Sequence, residues 1–346
     1  MSKKFLYDIL KKTLYGGVFL KKIRFGIVGP GNIAHRFAKA IKNVPNAELT
    51  AVASRSIENA NKFADEYNIP HRFEGYENMA KSDVIDAVYV SVPHSGHSEY
   101  SIMFMNYGKH VLSEKPLAVN AREVQEMIDA SVKNNVFLME GMWARFVPGT
   151  LKMLEIADSG VLGELKGAEG KFCYAFDEDE MEHHALKVEN GGGSLLDVGC
   201  YCLYFSSWYL GNDVERISAE AENFNGIDSH LCTLIKYKSG AIADLSSAVL
   251  LRKNGGGFLY GTKGYAQLDR CYAPQNIKIK LYDGEEQEYS CPYNGNGFEE
   301  QIIHTCECIE NGLTESPINT FKQSLFISNQ MDEIRKITGI VYPQDK

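Results

Sequence analysis

From residue 23 onward, short apolar runs alternate with longer stretches in which apolar residues recur every three or four positions. That is the pattern of a parallel sheet joined by crossover helices. The runs predict strands over 23–28, 48–54, 86–92, 110–113 and 136–139, with helices over 33–42, 57–67, 98–107 and 121–134 between them. Turn residues fall where this rhythm needs them, Val44-Pro45-Asn46 after one helix and Tyr107-Gly108 after another. Past about residue 143 the period changes. A helix over 149–158 precedes alternating segments over 164–176, 214–224, 231–237, 241–250, 257–260, 266–269 and 277–282, joined by turns such as Lys238-Ser239-Gly240 and Asp283-Gly284. This predicts a large, mainly antiparallel, open sheet, closed by helices over 297–311 and 320–337. The expected class is α/β: a doubly wound parallel sheet over 23–142, then an α/β domain over 143–346.

A length of 346 residues accommodates two domains of about 150. Acidic residues outnumber basic ones, 45 to 36, for a net charge of -9, a poor match to a polyanion, so no nucleic-acid partner is expected. No apolar run approaches the roughly 18 to 20 residues that cross a bilayer, and no stable membrane insertion is expected. Eight scattered cysteines, none in a C-x-x-C pair, suit reduced thiols in a cytoplasmic protein; no disulfide framework and no metal site are expected. Residues 1–22 form a basic extension, with six lysines against Asp8. Leu6, Ile9, Leu10 and Leu14 there suit a short amphipathic helix packed on the acidic body or on a partner subunit, with an anionic surface as the alternative. Gly16, Gly17, Lys21 and Lys22 argue against a cleaved secretory signal.

The strongest local signal is Phe25-Gly26-Ile27-Val28-Gly29-Pro30-Gly31-Asn32-Ile33-Ala34, a G-x-G-x-x-A turn after an apolar strand that opens a helix. Gly29 permits the tight turn and Gly31 the approach of a pyrophosphate. Asn32 and Ile33 start the helix, and Ala34 packs it on the strand. This is a Rossmann fingerprint for a dinucleotide. At the end of the second strand, where an NAD site usually carries Asp or Glu, stand Ser54, Arg55 and Ser56. A hydroxyl and a guanidinium with no carboxylate favour the 2′-phosphate of NADP, with NAD as the alternative cofactor and a solvated arginine as the alternative reading. Two further loops follow parallel strands, Pro93-His94-Ser95-Gly96-His97 and Ser113-Glu114-Lys115-Pro116-Leu117, with Glu114 expected to hold the Lys115 ammonium. Far along the chain the run Gly191-Gly192-Gly193 leads into an apolar helix on which Asp197 and Tyr201 are i and i+4. Oxidation of a secondary alcohol needs a base for the hydroxyl proton, and Lys115 is expected to favour the Tyr201 tyrosinate, with Asp197 orienting the pair.

The ordered set Gly29-Pro30-Gly31-Asn32-Ile33-Ala34, Glu114-Lys115-Pro116 and Gly191-Gly192-Gly193 with Asp197 resembles the glucose-fructose oxidoreductase/inositol dehydrogenase family over about residues 23–340. Glu140-Gly141-Met142-Trp143-Ala144-Arg145-Phe146 and Tyr201 look like its branch containing dimeric dihydrodiol dehydrogenase and D-xylose dehydrogenases. Much of the wider family has His where Tyr201 stands, and the extension 1–22 has no counterpart in the family pattern. The resemblance implies NADP(H)-dependent hydride transfer to or from a sugar, polyol or cyclic trans-diol, with Lys115 and Tyr201 at the chemistry. It also implies His94 and His97 close to cofactor or substrate, and a homodimer or higher assembly through the second sheet. Either histidine has a structural alternative. Trp143 and Arg145 are expected beside the nicotinamide, with inter-domain packing as the alternative for Trp143. Two other readings stay open: an anhydro- or keto-sugar reductase, and a non-catalytic NADP-sensing regulatory protein.

Overall fold

The apolar runs of the N-terminal half become the strands of one parallel sheet in the computed structural model, which describes residues 22–346. The helix expected within the basic extension falls on residues 1–21, outside the described residues. The strands are β1 (Ile23–Val28), β2 (Ala47–Ser54), β3 (His71–Glu74), β4 (Ala87–Val90), β5 (His110–Glu114) and β6 (Leu138–Gly141), ordered β3-β2-β1-β4-β5-β6. Between them run α1 (Asn32–Ile41), α2 (Ile57–Tyr67), α3 (Tyr76–Ala80), α4 (His97–Asn106) and α5 (Ala121–Asn134). β4 is buried throughout and β1 nearly so, which is why they read as continuous apolar runs. β3, with the sequence His-Arg-Phe-Glu, is an exposed edge strand that the apolar pattern does not mark. Ser56, Asn120 and Thr320 cap helices through their side chains, whereas α1 starts at Gly31 with no side-chain cap. The strand order reverses between β1 and β4, and their carboxyl ends form the crevice in which open α/β sheets bind ligands.

Beyond β6 come α6 (Pro148–Ser159), β7 (Leu165–Cys173), a π-helical turn over Leu195–Gly199 and α7 (Cys200–Leu210). Seven strands follow: β8 (Val214–Phe224), β9 (Ile227–Tyr237), β10 (Ile242–Ala248), β11 (Gly256–Gly261), β12 (Gly264–Leu268), β13 (Asn276–Leu281) and β14 (Glu286–Ser290). With β7 they build an eight-stranded sheet ordered β14-β13-β12-β11-β7-β10-β9-β8, antiparallel except where β7 pairs with β10. Alternation is plain on β9: Leu231, Thr233 and Ile235 are buried on the side that α7 covers, while Cys232 and Leu234 face outward. The polar edge strand β14 has no buried face and was likewise unmarked by the apolar pattern.

Two helices, α8 (Glu299–Glu310) and α9 (Phe321–Thr338), close the fold, and α9 packs on both α5 and β8. At this junction the buried Glu140 carboxylate accepts hydrogen bonds from the Tyr204 hydroxyl (2.5 Å) and the Ser324 hydroxyl (2.6 Å), so one side chain of β6 ties α7 to α9. All eight cysteines are free thiols. Among the described residues no helix is long and apolar enough to cross a membrane.

Candidate active site

The turn after β1 sets one wall of the site. Gly29 has φ +79°, and a Cβ there would lie 2.9 Å from Val92 and 3.0 Å from the Ser91 carbonyl, so both the conformation and the space require glycine. A Cβ on Gly31 would meet nothing within 4 Å. The uncapped N-terminus of α1 therefore faces open space, with its backbone N–H groups and positive dipole end available to an anion. That space belongs to a cleft of about 1040 Å³ lined by Gly29, Gly31, Asn32, Ile33, Ser54, Arg55, Pro93, His94, His97, Glu114, Lys115 and Asp197. Twelve expected site residues, drawn from five separate segments, thus share one cavity.

At the end of β2, Arg55 is exposed, and its positive charge acts on the Tyr76 and Tyr100 hydroxyls, whose rings meet edge to face at 4.7 Å. Lys62 lines the same cleft and adds a second cation. The sequence carried no signal for Lys62, Tyr76 or Tyr100. They come from three helices, α2, α3 and α4, that only the fold brings together.

At the other end, Lys115 Nζ donates to the Asp197 carbonyl (2.6 Å) and to Asp197 Oδ1 (3.0 Å). Burial opposes the ammonium, but Asp197 and then Tyr201 hold the Lys115 pKa well above the ordinary lysine value. Burial also opposes the Asp197 carboxylate. Lys115 foremost, with His94 and the Tyr174 hydroxyl at 2.5 Å from Oδ2, holds it well below the usual range. The two groups form a charged pair at neutral pH. Glu114 does not hold the ammonium, contrary to expectation. The buried Glu114 carboxylate instead accepts from the Tyr89 hydroxyl on β4 and from the Lys115 backbone N–H (3.3 Å).

The glycine run is held as firmly as the lysine. Gly193 has φ +112°, and a Cβ there would sit 2.3 Å from Asp228 Oδ1. Asp228 Oδ2 accepts from the Ser194 hydroxyl and the Leu195 N–H, each at 2.7 Å, and so caps the turn that carries Asp197. The buried Tyr342 hydroxyl donates to the Gly192 carbonyl (2.5 Å). His94 Nδ1 donates to the Gly191 carbonyl (2.8 Å), and burial, then Lys115, lower its pKa to about 3, leaving a neutral ring with Nε2 as acceptor. Both nitrogens of His97 face backbone carbonyls, Pro116 at 2.8 Å and Val92 at 3.0 Å. It ties the loops after β4 and β5 and has no free nitrogen for a ligand.

Three expected residues stand behind the cleft and do not line it. Tyr201 is 6% exposed, and its hydroxyl accepts the Trp143 indole N–H at 2.9 Å. Lys115 Nζ lies 5.5 Å from its ring centre. Burial raises the Tyr201 pKa more than Lys115 lowers it, so the expected tyrosinate is replaced by a firmly protonated phenol. The π turn over Leu195–Gly199 also breaks the i, i+4 register expected for Asp197 and Tyr201. Trp143 packs against Phe298, and the guanidinium of Arg36, which does line the cleft, lies over both rings. Arg145 lies away from the cleft against Trp208. Sequence reasoning also missed Tyr174, His183 and His184; they follow β7 in a segment of short turns with no recognisable motif.

Residues 23–142 match the oxidoreductase family GFO/IDH/MocA, described by its NAD-binding Rossmann fold, and residues 150–267 match the GFO/IDH/MocA C-terminal domain. The chain is 33% identical over 338 residues to trans-1,2-dihydrobenzene-1,2-diol dehydrogenase of Mus musculus, covering 94% of this chain and 99% of the relative. It is 31% identical over 339 residues to the Homo sapiens enzyme of the same name, with the same coverage. Among solved structures, a 3-ketoreductase from Actinomadura kijaniata in complex with NADP and TDP-benzene has the same fold, with a TM-score of 0.85 at 24% identity, covering 92% of this chain and 98% of the other.

Proposed function

The chain belongs to the GFO/IDH/MocA oxidoreductase family, and from that premise we propose an NADP(H)-dependent enzyme that transfers hydride between the nicotinamide and a CH–OH carbon of a sugar, polyol or cyclic trans-diol. The observation that carries the proposal is the Lys115–Asp197 pair standing in the same cleft as the glycine turn. The dihydrodiol dehydrogenase and ketoreductase names of its relatives support the substrate class.

The residues present fit the cofactor. The open space over Gly31 and the uncapped start of α1 suit a pyrophosphate, and Arg55 with Lys62 suits a 2′-phosphate. When bound, the nicotinamide gives or takes the hydride. The chain's own groups manage the proton. Two of the three Lys115 ammonium protons are spent on Asp197, and the third remains for a substrate oxygen. Tyr201, whose oxygen already accepts from Trp143, keeps its O–H as a donor behind Lys115. Both groups rest protonated, which is the state that reduction of a carbonyl needs and which favours a keto-sugar reductase as the second reading. In oxidation Lys115 first gives a proton to solvent, and the neutral amine then takes the hydroxyl proton. His94 Nε2 offers an acceptor to a ligand N–H or O–H. Asp197 fixes the lysine, and Asp228 fixes Asp197.

Two further parts of the proposal concern assembly and location. The outward face of the second sheet, with Leu234 and Ile242 about half exposed, is where a homodimer or higher assembly would form. The eight free thiols support a cytoplasmic location.

Incubation with NADP+ and D-xylose, with trans-dihydrodiols and a broader polyol and aldose set alongside, is expected to raise the absorbance at about 340 nm. No gain with any of them counts against the proposal. Arg55→Ala is expected to weaken NADP+ binding roughly tenfold or more, because a charge-assisted hydrogen bond contributes about 1.5 to 3 kcal/mol, and to leave NAD+ binding almost unchanged. Equal losses for both cofactors, read by fluorescence titration, would remove the assignment.

A further inference from the structure

We infer that His183 and His184 form a subsite for a second substrate hydroxyl, next to the one that reacts, so that the site selects vicinal diols and polyhydroxy rings. The inference rests on the proposed function.

Both imidazoles line the cleft with Lys115 and Asp197, yet neither makes a contact that the fold requires of a histidine's donor nitrogen. Their placement is built. Gly193 N–H donates to the Ala185 carbonyl (2.9 Å), and Gly192 N–H donates to the Lys187 carbonyl (3.0 Å). The segment bearing the two histidines is thereby clasped to the run that leads into Asp197. A Cβ on Gly192 would approach the Ala185 carbonyl to 2.6 Å, so the clasp depends on glycine there.

The protonation of His183 follows from geometry. His183 Nδ1 accepts the Ala185 N–H at 3.2 Å, so the neutral ring carries its proton on Nε2, as a donor. Its face is held by Phe176 at 4.5 Å and by His184 at 4.1 Å. His184 is exposed over much of its surface. Desolvation of its ring first, then the neighbouring His183 and Lys115 against Asp197, lower its pKa to about 4, so the ring is neutral at physiological pH with one donor and one acceptor nitrogen. Lys115 has one proton left for the reacting oxygen. The imidazoles supply what an adjacent hydroxyl needs: an N–H donor for its lone pair and an acceptor for its proton. A substrate with a single hydroxyl engages Lys115 alone, whereas a vicinal diol engages both groups.

The test is calorimetric titration of D-xylose and trans-cyclohexane-1,2-diol into the protein saturated with NADP+. His183→Phe and His184→Phe keep a flat ring and remove the nitrogens. Each is expected to weaken binding about five- to tenfold, while NADP+ affinity, measured on the same samples, stays at the wild-type value and shows that the variants are folded. His183→Gln, which restores an N–H donor, is expected to recover most of the loss. Three results overturn the inference: binding by the Phe variants equal to wild type, a parallel loss of NADP+, or a wild-type protein that binds neither compound. Turnover of the wild-type samples at about 340 nm reports separately on the proposed function. Binding that depends on the histidines but comes without turnover would sink that function and leave the subsite standing.

Discussion

Lys115→Met is expected to lower kcat by about 10³- to 10⁴-fold, the combined scale of lost proton transfer and lost charge stabilisation at the reacting oxygen. Methionine keeps the length and apolar volume of the stem and removes the ammonium alone. The change also strips Asp197 of its ion partner. Lys115 and Asp197 are only 12% and 20% exposed, so breaking the pair is expected to cost about 3 to 5 kcal/mol of stability unless the carboxyl takes up a proton. Steady-state kinetics, a melting curve and NADP+ affinity separate the two effects. A variant that melts earlier but turns over at the wild-type rate would confine Lys115 to structure.

Tyr201→Phe is expected to lower kcat by about 10²- to 10⁴-fold while leaving the ring packed against Phe172 and Tyr272. In the proposed mechanism the protonated phenol behind Lys115 returns a proton to the lysine, and the substitution removes that donor. A merely structural Tyr201 predicts a different outcome. The Trp143 indole N–H would lose its acceptor at 2.9 Å, at a cost of about 1 to 3 kcal/mol in stability, with turnover nearly intact. Kinetics beside a melting curve distinguishes the cases.

Much of this site was legible from residue order, for reasons that differ by residue. Gly29, Gly31 and Asn32 declare themselves because strand, turn and helix are contiguous, so local chemistry fixes the shape. Lys115 and His94 were legible as residues following parallel strands, where open sheets bind ligands. The partner of Lys115 was not. Glu114 is adjacent in sequence but engaged by Tyr89 of β4, and Asp197, 82 residues away, takes its place. A five-residue π turn upset the helical register between Asp197 and Tyr201, and a π turn leaves no periodic trace. Burial is likewise invisible in a motif, so the expected tyrosinate became a phenol. Strands β3 and β14 escaped because polar edge strands bury no face and carry no apolar alternation. His183 and His184 reach the cleft, and Tyr174 reaches Asp197, through long-range contacts that no local pattern encodes.

Hydride transfer itself is most directly read by isotope. Wild-type protein incubated with NADP+ and D-xylose deuterated at C1, with ring-deuterated trans-dihydrodiol in parallel, is predicted to yield NADPH carrying one deuterium per turnover by mass spectrometry, at a rate that collapses in Lys115→Met. Tight NADPH binding with neither turnover nor deuterium transfer, in either direction, would contradict the account and identify the chain as a non-catalytic NADP-sensing protein.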